Sequence, residues 1–320
     1  MGAELDNPIV VGVDGSDDGL RAVRYAVRAA HEMGCGMRLV HVLPETVPMA
    51  PMLPLISGER LSEVGRRIVR QAMEELSAQD AGKTVETDQI MRTGSRVHVL
   101  SEEADRARLI VLGHRSRSAV DRFFTASTTT GVATRAHRAV VSVPRSWTPE
   151  SDRHHVVVGV DDPGQASELL STAFAIAAAR GARLTVLHAW RLPSPYDDVI
   201  ASRVDQTPWQ GVVKERLSEL VQALEAEYPA VEAAVDVRHE PPAAALVDYS
   251  RDADLLLLGR HGHGAPLGVY LGPVARAMIW EAECPVQITP TQVSGHSRPP
   301  ADDPNLAAAG TGLRSDGDHA

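Results

Sequence analysis

The sequence predicts an α/β protein of two tandem domains, each a five-stranded parallel sheet with helices on both faces. Three observations carry this. Short runs such as residues 9–13 (IVVGV) and 255–258 (LLLL) are apolar at every position, as strands buried on both faces must be. They alternate with segments whose apolar residues recur at helical spacing, which implies parallel pairing through crossover helices. The pattern is also written twice. VVVGVD at 156–161 repeats IVVGVD at 9–14 at an offset of 147 (156 − 9), and Gly181 and His188 repeat Gly34 and His41 at the same offset. LLLLG at 255–259 repeats LIVLG at 109–113, and VQITP at 286–290 repeats VVSVP at 140–144, both at 146 (255 − 109). A near-constant offset across four strands marks duplication of a whole domain.

Taken in order, the first strand follows Pro8 and breaks at Asp14-Gly15-Ser16. Ser16 suits an N-cap, with Asp17 and Asp18 where a helix N-terminus favours carboxylates. Val23, Ala26, Val27, Ala30 and Met33 give the helix its core face, and Gly34 stops it. A second strand occupies 37–42. Residues 43–58, punctuated by Pro44, Pro48, Pro51 and Pro54, read as a surface crossover or as a flap over a pocket. A helix from Glu59 is expected to bury Leu61, Val64, Ile68, Met73 and Leu76. A third strand at 84–91, a helix at 97–107 and strands at 109–112 and 140–143 complete the unit. A polar joint at 146–154, with His154-His155 read as solvated, leads into the second copy. Its second helix carries the stripe Val213, Leu217, Leu220, Leu224 and Tyr228. The domains are thus 1–147 and 152–291, and the Pro-, Gly- and Asp-rich stretch 292–320 reads as a disordered tail.

Composition narrows the function. A formal net charge of −10 without a basic stripe argues against nucleic-acid binding. No run approaches the roughly 18 apolar residues of a membrane span, and the opening MGAELDNP lacks a signal-peptide pattern. Cys35 and Cys284 are isolated, which suits a reducing compartment. The expectation is a cytoplasmic protein with no membrane or nucleic-acid partner.

Chemistry concentrates at 255–273, LLLLGRHGHGAPLGVYLGP. A buried strand runs into a glycine-rich loop and then a helix start, where free backbone N–H groups and the helix dipole favour an anion. In parallel sheets, ligands bind beyond the carboxyl ends of strands at the topological switch point. Here that means Asp14 and Gly113 in the first copy, Asp161 and Gly259 in the second.

These residues resemble the universal stress protein family. The resemblance rests on IVVGVDGS, on the strand ending LVHV, and on LIVLG entering a G-x-x-G, nine-residue, G-[ST] loop; it spans residues 8–290. It implies a sheet related to adenine-nucleotide-binding (Rossmann-like) folds, with ATP or another adenine nucleotide as ligand and room for Mg²⁺ beside it. Adenine would lie near the end of strand 2, the strand 1 aspartate near ribose and phosphates, and the phosphates in the glycine loop. The implied second-domain site is Asp161, Ala189, Gly259, Gly262 and Gly272, with His261 able to hydrogen-bond phosphate. The implied first-domain site is Asp14, Val42, Gly113, Ser116, Ala126 and Ser127.

Both copies depart from the family pattern. The first replaces two loop glycines by Ser116 and Ala126, which is costly if those positions need positive φ or close backbone approach. The second keeps its glycines but has Asp162-Pro163 after Asp161, and Pro273 in place of a hydroxyl residue. Losing one hydrogen bond to a charged group is worth roughly 1.5–3 kcal/mol, which weakens binding without abolishing it. Blocked loop approach in the first copy is the worse defect, so the second domain is expected to be the better site. The rival readings are an interaction scaffold with decayed sites and a weak ATP hydrolase. Ala81-Gly82-Lys83-Thr84 imitates a phosphate loop, but Ser77 stands where the leading glycine belongs. His261 and His263 lack a third ligand for a metal. His41 and His188 read as satisfying backbone groups. No nucleophile–base pair is evident, so no catalytic residue and no metal ligand is assigned. The family also implies pairing of the two domains through their last strands, edges that leave pairing of two chains open.

Overall fold

The computed structural model describes residues 5–45, 58–79, 85–114, 126–191, 207–260 and 271–290. Most of the proline-punctuated segment, the Gly82-Lys83-Thr84 decoy, Ser116, His261, Gly262, His263 and the tail lie outside the described residues.

The first repeat runs β1 (Ile9–Gly12), α1 (Asp17–Met33), β2 (Met37–Leu43), α2 (Gly58–Gln79), β3 (Thr87–Thr93), α3 (Arg96–Asp105), β4 (Leu109–Gly113), α4 (Ala126–Arg135) and β5 (Ala139–Val143). The second runs β6 (His155–Gly159), α5 (Ser167–Arg180), β7 (Arg183–Trp190), α6 (Thr207–Glu227), β8 (Ala233–His239), α7 (Pro242–Ser250), β9 (Leu255–Arg260), α8 (Pro273–Glu281) and β10 (Val286–Pro290). A 3₁₀ turn at Pro163–Gln165 precedes α5. The ten strands form one sheet in the order β3-β2-β1-β4-β5-β10-β9-β6-β7-β8. All neighbours are parallel except β5 and β10, which meet antiparallel through Val140↔Ile288, Val141↔Gln287 and Ser142↔Val286.

The uniformly apolar strands are buried on both faces; Val10, Val11, Ile110 and Val111 are fully inaccessible, as are Val156, Val157, Leu256 and Leu257. On one face each repeat keeps its own core, under α1 and α2 and under α5 and α6. On the other the two cores merge, so that Leu100, Val132, Met278 and Ile288 belong to one cluster. Ser16 caps α1, its Oγ accepting from the Gly19 N–H at 3.1 Å. Gly34 and Gly181 end α1 and α5 with φ of 60° and 57°, the left-handed conformation that glycine adopts without Cβ strain.

Three expectations are corrected. The buried face of α2 is Gly65, Val69, Ala72 and Leu76; Leu76 is buried as expected and Ile68 and Met73 pack half-buried against the core, whereas Val64 is exposed. Small residues on that face let α2 approach β2; a Cβ on Gly65 would stand 3.0 Å from Leu43 and 3.1 Å from His41. β3 is displaced to Thr87–Thr93, because pairing in register with β2 decides its position and its own apolar pattern is weak. The joint between repeats is anchored rather than freely solvated. Trp147 is buried edge-on against Tyr25, 5.3 Å between centroids.

His155 is not linker either. It opens β6 and is 2% exposed. Its Nδ1 donates to the Asp252 carbonyl at 2.9 Å, while Nε2 accepts from the Thr185 hydroxyl at 2.8 Å. The buried Asp254 carboxylate accepts the N–H groups of Arg153 and His155. Burial pushes the His155 imidazole down, the Asp252 carbonyl opposing in part. The folded protein therefore holds a neutral ring, whereas the unfolded chain takes up a proton near pH ~6.5. The unfolded state then binds more protons, so stability falls as pH drops through that window. Thermal melts from pH 7.5 to 5.0 are expected to show a falling midpoint, with a shallower slope in His155→Gln.

Candidate functional site

The chain leaves β1 for β2 and β3 on one side, then returns to β4 on the other, which makes the carboxyl ends of β1 and β4 the switch point. A cavity of about 250 Å³ opens there. Val40, Val42 and Leu43 of the β2 end form an apolar wall with Leu61, Val64 and Ile68 of α2. Leu61 and Val64, left out of the buried face of α2, thus line the cavity together with Ile68, which packs half-buried against the core. Asp14, Ser16, Thr128, Thr129 and Arg96 also line it.

Backbone geometry sets this end of the sheet. Val13 N–H donates to the Val40 carbonyl at 2.9 Å, past the last ladder pair. His41 Nδ1 donates to the Val13 carbonyl at 2.8 Å, which fixes its tautomer and staples the two strand ends. The second repeat copies both, with Val160 N–H on Leu187 at 2.9 Å and His188 Nδ1 on Val160 at 2.9 Å. Asp14 is oriented by Ser16, whose backbone N–H reaches Oδ1 at 3.0 Å and whose hydroxyl bonds the same oxygen. Gly113 carries a different constraint. A Cβ there would overlap the Asp18 carbonyl, so glycine is what lets the α1 N-terminus close onto the β4 end.

Of the residues named from sequence, Asp14, Val42 and Gly113 line this cavity. Ala126 and Ser127 fall in the first turn of α4, and Ser116 lies outside the described residues. In the second repeat Asp161 follows β6, Ala189 lies on β7 and Gly259 on β9; His261 and Gly262 lie outside the described residues. Gly272 precedes α8 with φ −59° and ψ 160°, and nothing lies within 4 Å of a Cβ built on it. That backbone conformation is open to any residue, so positive φ is not what calls for glycine at 272.

Sequence reasoning missed Arg96, Thr128 and Thr129. Arg96 opens α3 as an exposed cation with no sequence motif around it. The threonines open α4, where first-turn N–H groups lack helical partners; their counterparts in the second repeat are Val274 and Ala275. That repeat also caps differently. Asp162 accepts from Gly164 N–H and from Gln165 Nε2, both at 2.8 Å, placing a second carboxylate beside Asp161.

The family's sequence pattern, described as the universal stress protein family, matches residues 7–144 and again residues 152–290. The chain belongs to the universal stress protein family. A universal stress protein of Mycobacterium tuberculosis is 30% identical over 308 residues, 89% of this chain and 96% of that protein. A second from the same organism is 29% identical over 285 residues, 87% and 95% of the two chains. The crystal structure of a universal stress protein from Archaeoglobus fulgidus superposes with a TM-score of 0.66 at 18% identity, covering 89% of this chain and 99% of that one. That likeness is one of fold. Among the described residues, no helix is long and apolar enough to cross a membrane.

The Gly113 contact yields a test. Gly113→Ala is expected to cost about 1–3 kcal/mol through overpacking against backbone, read as a lower urea midpoint.

Proposed function

We propose that this tandem universal stress protein binds an adenine nucleotide and turns over little or none of it. The observation that carries the reading is the cavity at the β1–β4 switch point, lined by both apolar and polar side chains. Its Val40–Leu43 and α2 wall suits the faces of a purine. Asp14, held by Ser16, suits a ribose hydroxyl, and the first turn of α4 with Arg96 suits phosphate. The volume lies just under the range of about 300–1,000 Å³ usual for small-molecule pockets. Base and ribose therefore fill the cavity and the phosphates sit at its mouth. Mg²⁺ is expected to bind through the phosphates and at most one or two carboxylates, with Asp14 the nearest candidate. Among the described residues no group of three His, Cys, Asp or Glu side chains converges.

The second repeat enters the proposal as a site in its own right. Gly259, Gly262 and Gly272 leave its loop open to phosphate approach, whereas Asp162 and Pro273 weaken its hold on charge. Its ranking above the first repeat rests on Gly262 against Ser116. The stapled strand ends at His41 and His188 support a rigid receptor, since each Nδ1 ties one strand end to the backbone of its neighbour. A cytoplasmic location follows the same reading.

Calorimetry with ATP on the intact chain tests the proposal; no heat at millimolar nucleotide would sink it. Asp14→Ala is expected to weaken first-repeat binding roughly tenfold, the worth of a hydrogen bond to a charged group. Gly262→Val is expected to cost more affinity than Ser116→Val if the second repeat is the tighter site. Steady ATP hydrolysis abolished by Asp161→Asn would favour the hydrolase reading instead.

A further inference from the structure

We propose that Arg260 is a positioning residue for the first repeat's cavity, although it belongs to the second repeat and does not line that cavity. The affinity part of this proposal rests on the nucleotide reading above; the structural part does not. Arg260 closes β9 and is 7% exposed. Its Nη1 donates to the carbonyls of Ala133 at 2.9 Å and Ala136 at 2.6 Å. Those carbonyls end α4, the helix that brings Thr128 and Thr129 to the cavity.

The local chemistry makes α4 depend on this contact. His137 N–H, the donor that would serve the Ala133 carbonyl if the helix continued, is committed to Asp105 Oδ1 at 2.9 Å. Ala133 and Ala136 are 1% and 0% exposed with Arg260 in place, so the guanidinium rather than bulk water serves these carbonyls. A cation here also meets the negative end of the α4 dipole. Burial works against the guanidinium and the Asp105 carboxylate works for it, and arginine remains charged throughout. Sideways, α4 lies close on α3, because Gly131 leaves room where a Cβ would stand 2.8 Å from Val97. The helix has ten residues, a rod about 15 Å long. Its far end is held by one repeat and its near end forms the wall of the other's cavity.

The reciprocal position shows the same crossing with different chemistry. His114 follows β4 as Arg260 ends β9, and it packs edge-on against Trp280 of α8 at 4.8 Å between centroids. Each repeat's strand end thus reaches the helix that follows the other repeat's loop.

The test uses the full chain with Arg260→Met and Arg260→Lys. Backbone amide shifts of Thr128 and Thr129, read by NMR without nucleotide, are expected to move in Arg260→Met and to return most of the way in Arg260→Lys. ATP affinity at the first repeat, identified as the binding step that weakens in Asp14→Ala, is expected to fall roughly two- to thirtyfold in Arg260→Met, with partial rescue by lysine. If Arg260→Met does not fold, Arg260→Lys carries both readouts, with smaller changes of the same sign. Unchanged threonine shifts together with affinity within twofold would overturn the proposal. Moved shifts in a protein whose wild type binds no ATP would sustain the positioning role and refute the nucleotide reading.

Discussion

The architecture depends on a ladder of three residue pairs. β5 and β10 are each the last strand of their repeat, and a last strand left bare would expose a row of unpaired backbone groups. By meeting antiparallel through Val140, Val141 and Ser142 they give each other those partners and turn two five-stranded sheets into one. The antiparallel sense relates the repeats by a local twofold. It places α4 against α8, with α3 packed beside α4 and α7 beside α8, on a single face where the two hydrophobic cores fuse. On the opposite face the cores stay separate, under α1 with α2 and under α5 with α6. The molecule therefore has one shared layer and two private ones.

The cavity follows from the same geometry at one end of the sheet. Parallel strands end together, so Asp14, Val42 and Gly113 arrive at one rim although they are far apart in sequence. Glycine at 113 lets α1 close down on that rim, Ser16 both caps α1 and orients Asp14, and His41 ties two strand ends together. Each of these roles is settled by backbone contacts before any ligand is considered.

Much of this was legible because the signals are local. The breaks at Asp14 and Gly34 carry their own cap chemistry, and the constant offset exposed the duplication. The errors came where distant partners decide. Leu61 and Val64 have the spacing of a core stripe, yet a core and a cavity wall ask for the same residues; only the fit of Gly65 on β2 distinguishes them. His155 beside His154 looks solvated in sequence. It is buried because Asp252, Asp254 and Thr185, from other strands and turns, supply its partners. Arg96, Thr128 and Thr129 form no motif and become neighbours only through the topology.

Covalent tandem arrangement has a consequence for the crossing contacts. In a dimer of identical chains, the residue at a strand end appears on both sides of the axis, and one side chain must suit both helix ends. Here the two positions are separate genetic letters. One has become an arginine on carbonyls, the other an imidazole on an indole. The twofold survives in the backbone while the side chains have parted company, so each half can acquire its own ligand preference and its own sensitivity to solvent conditions without the other following.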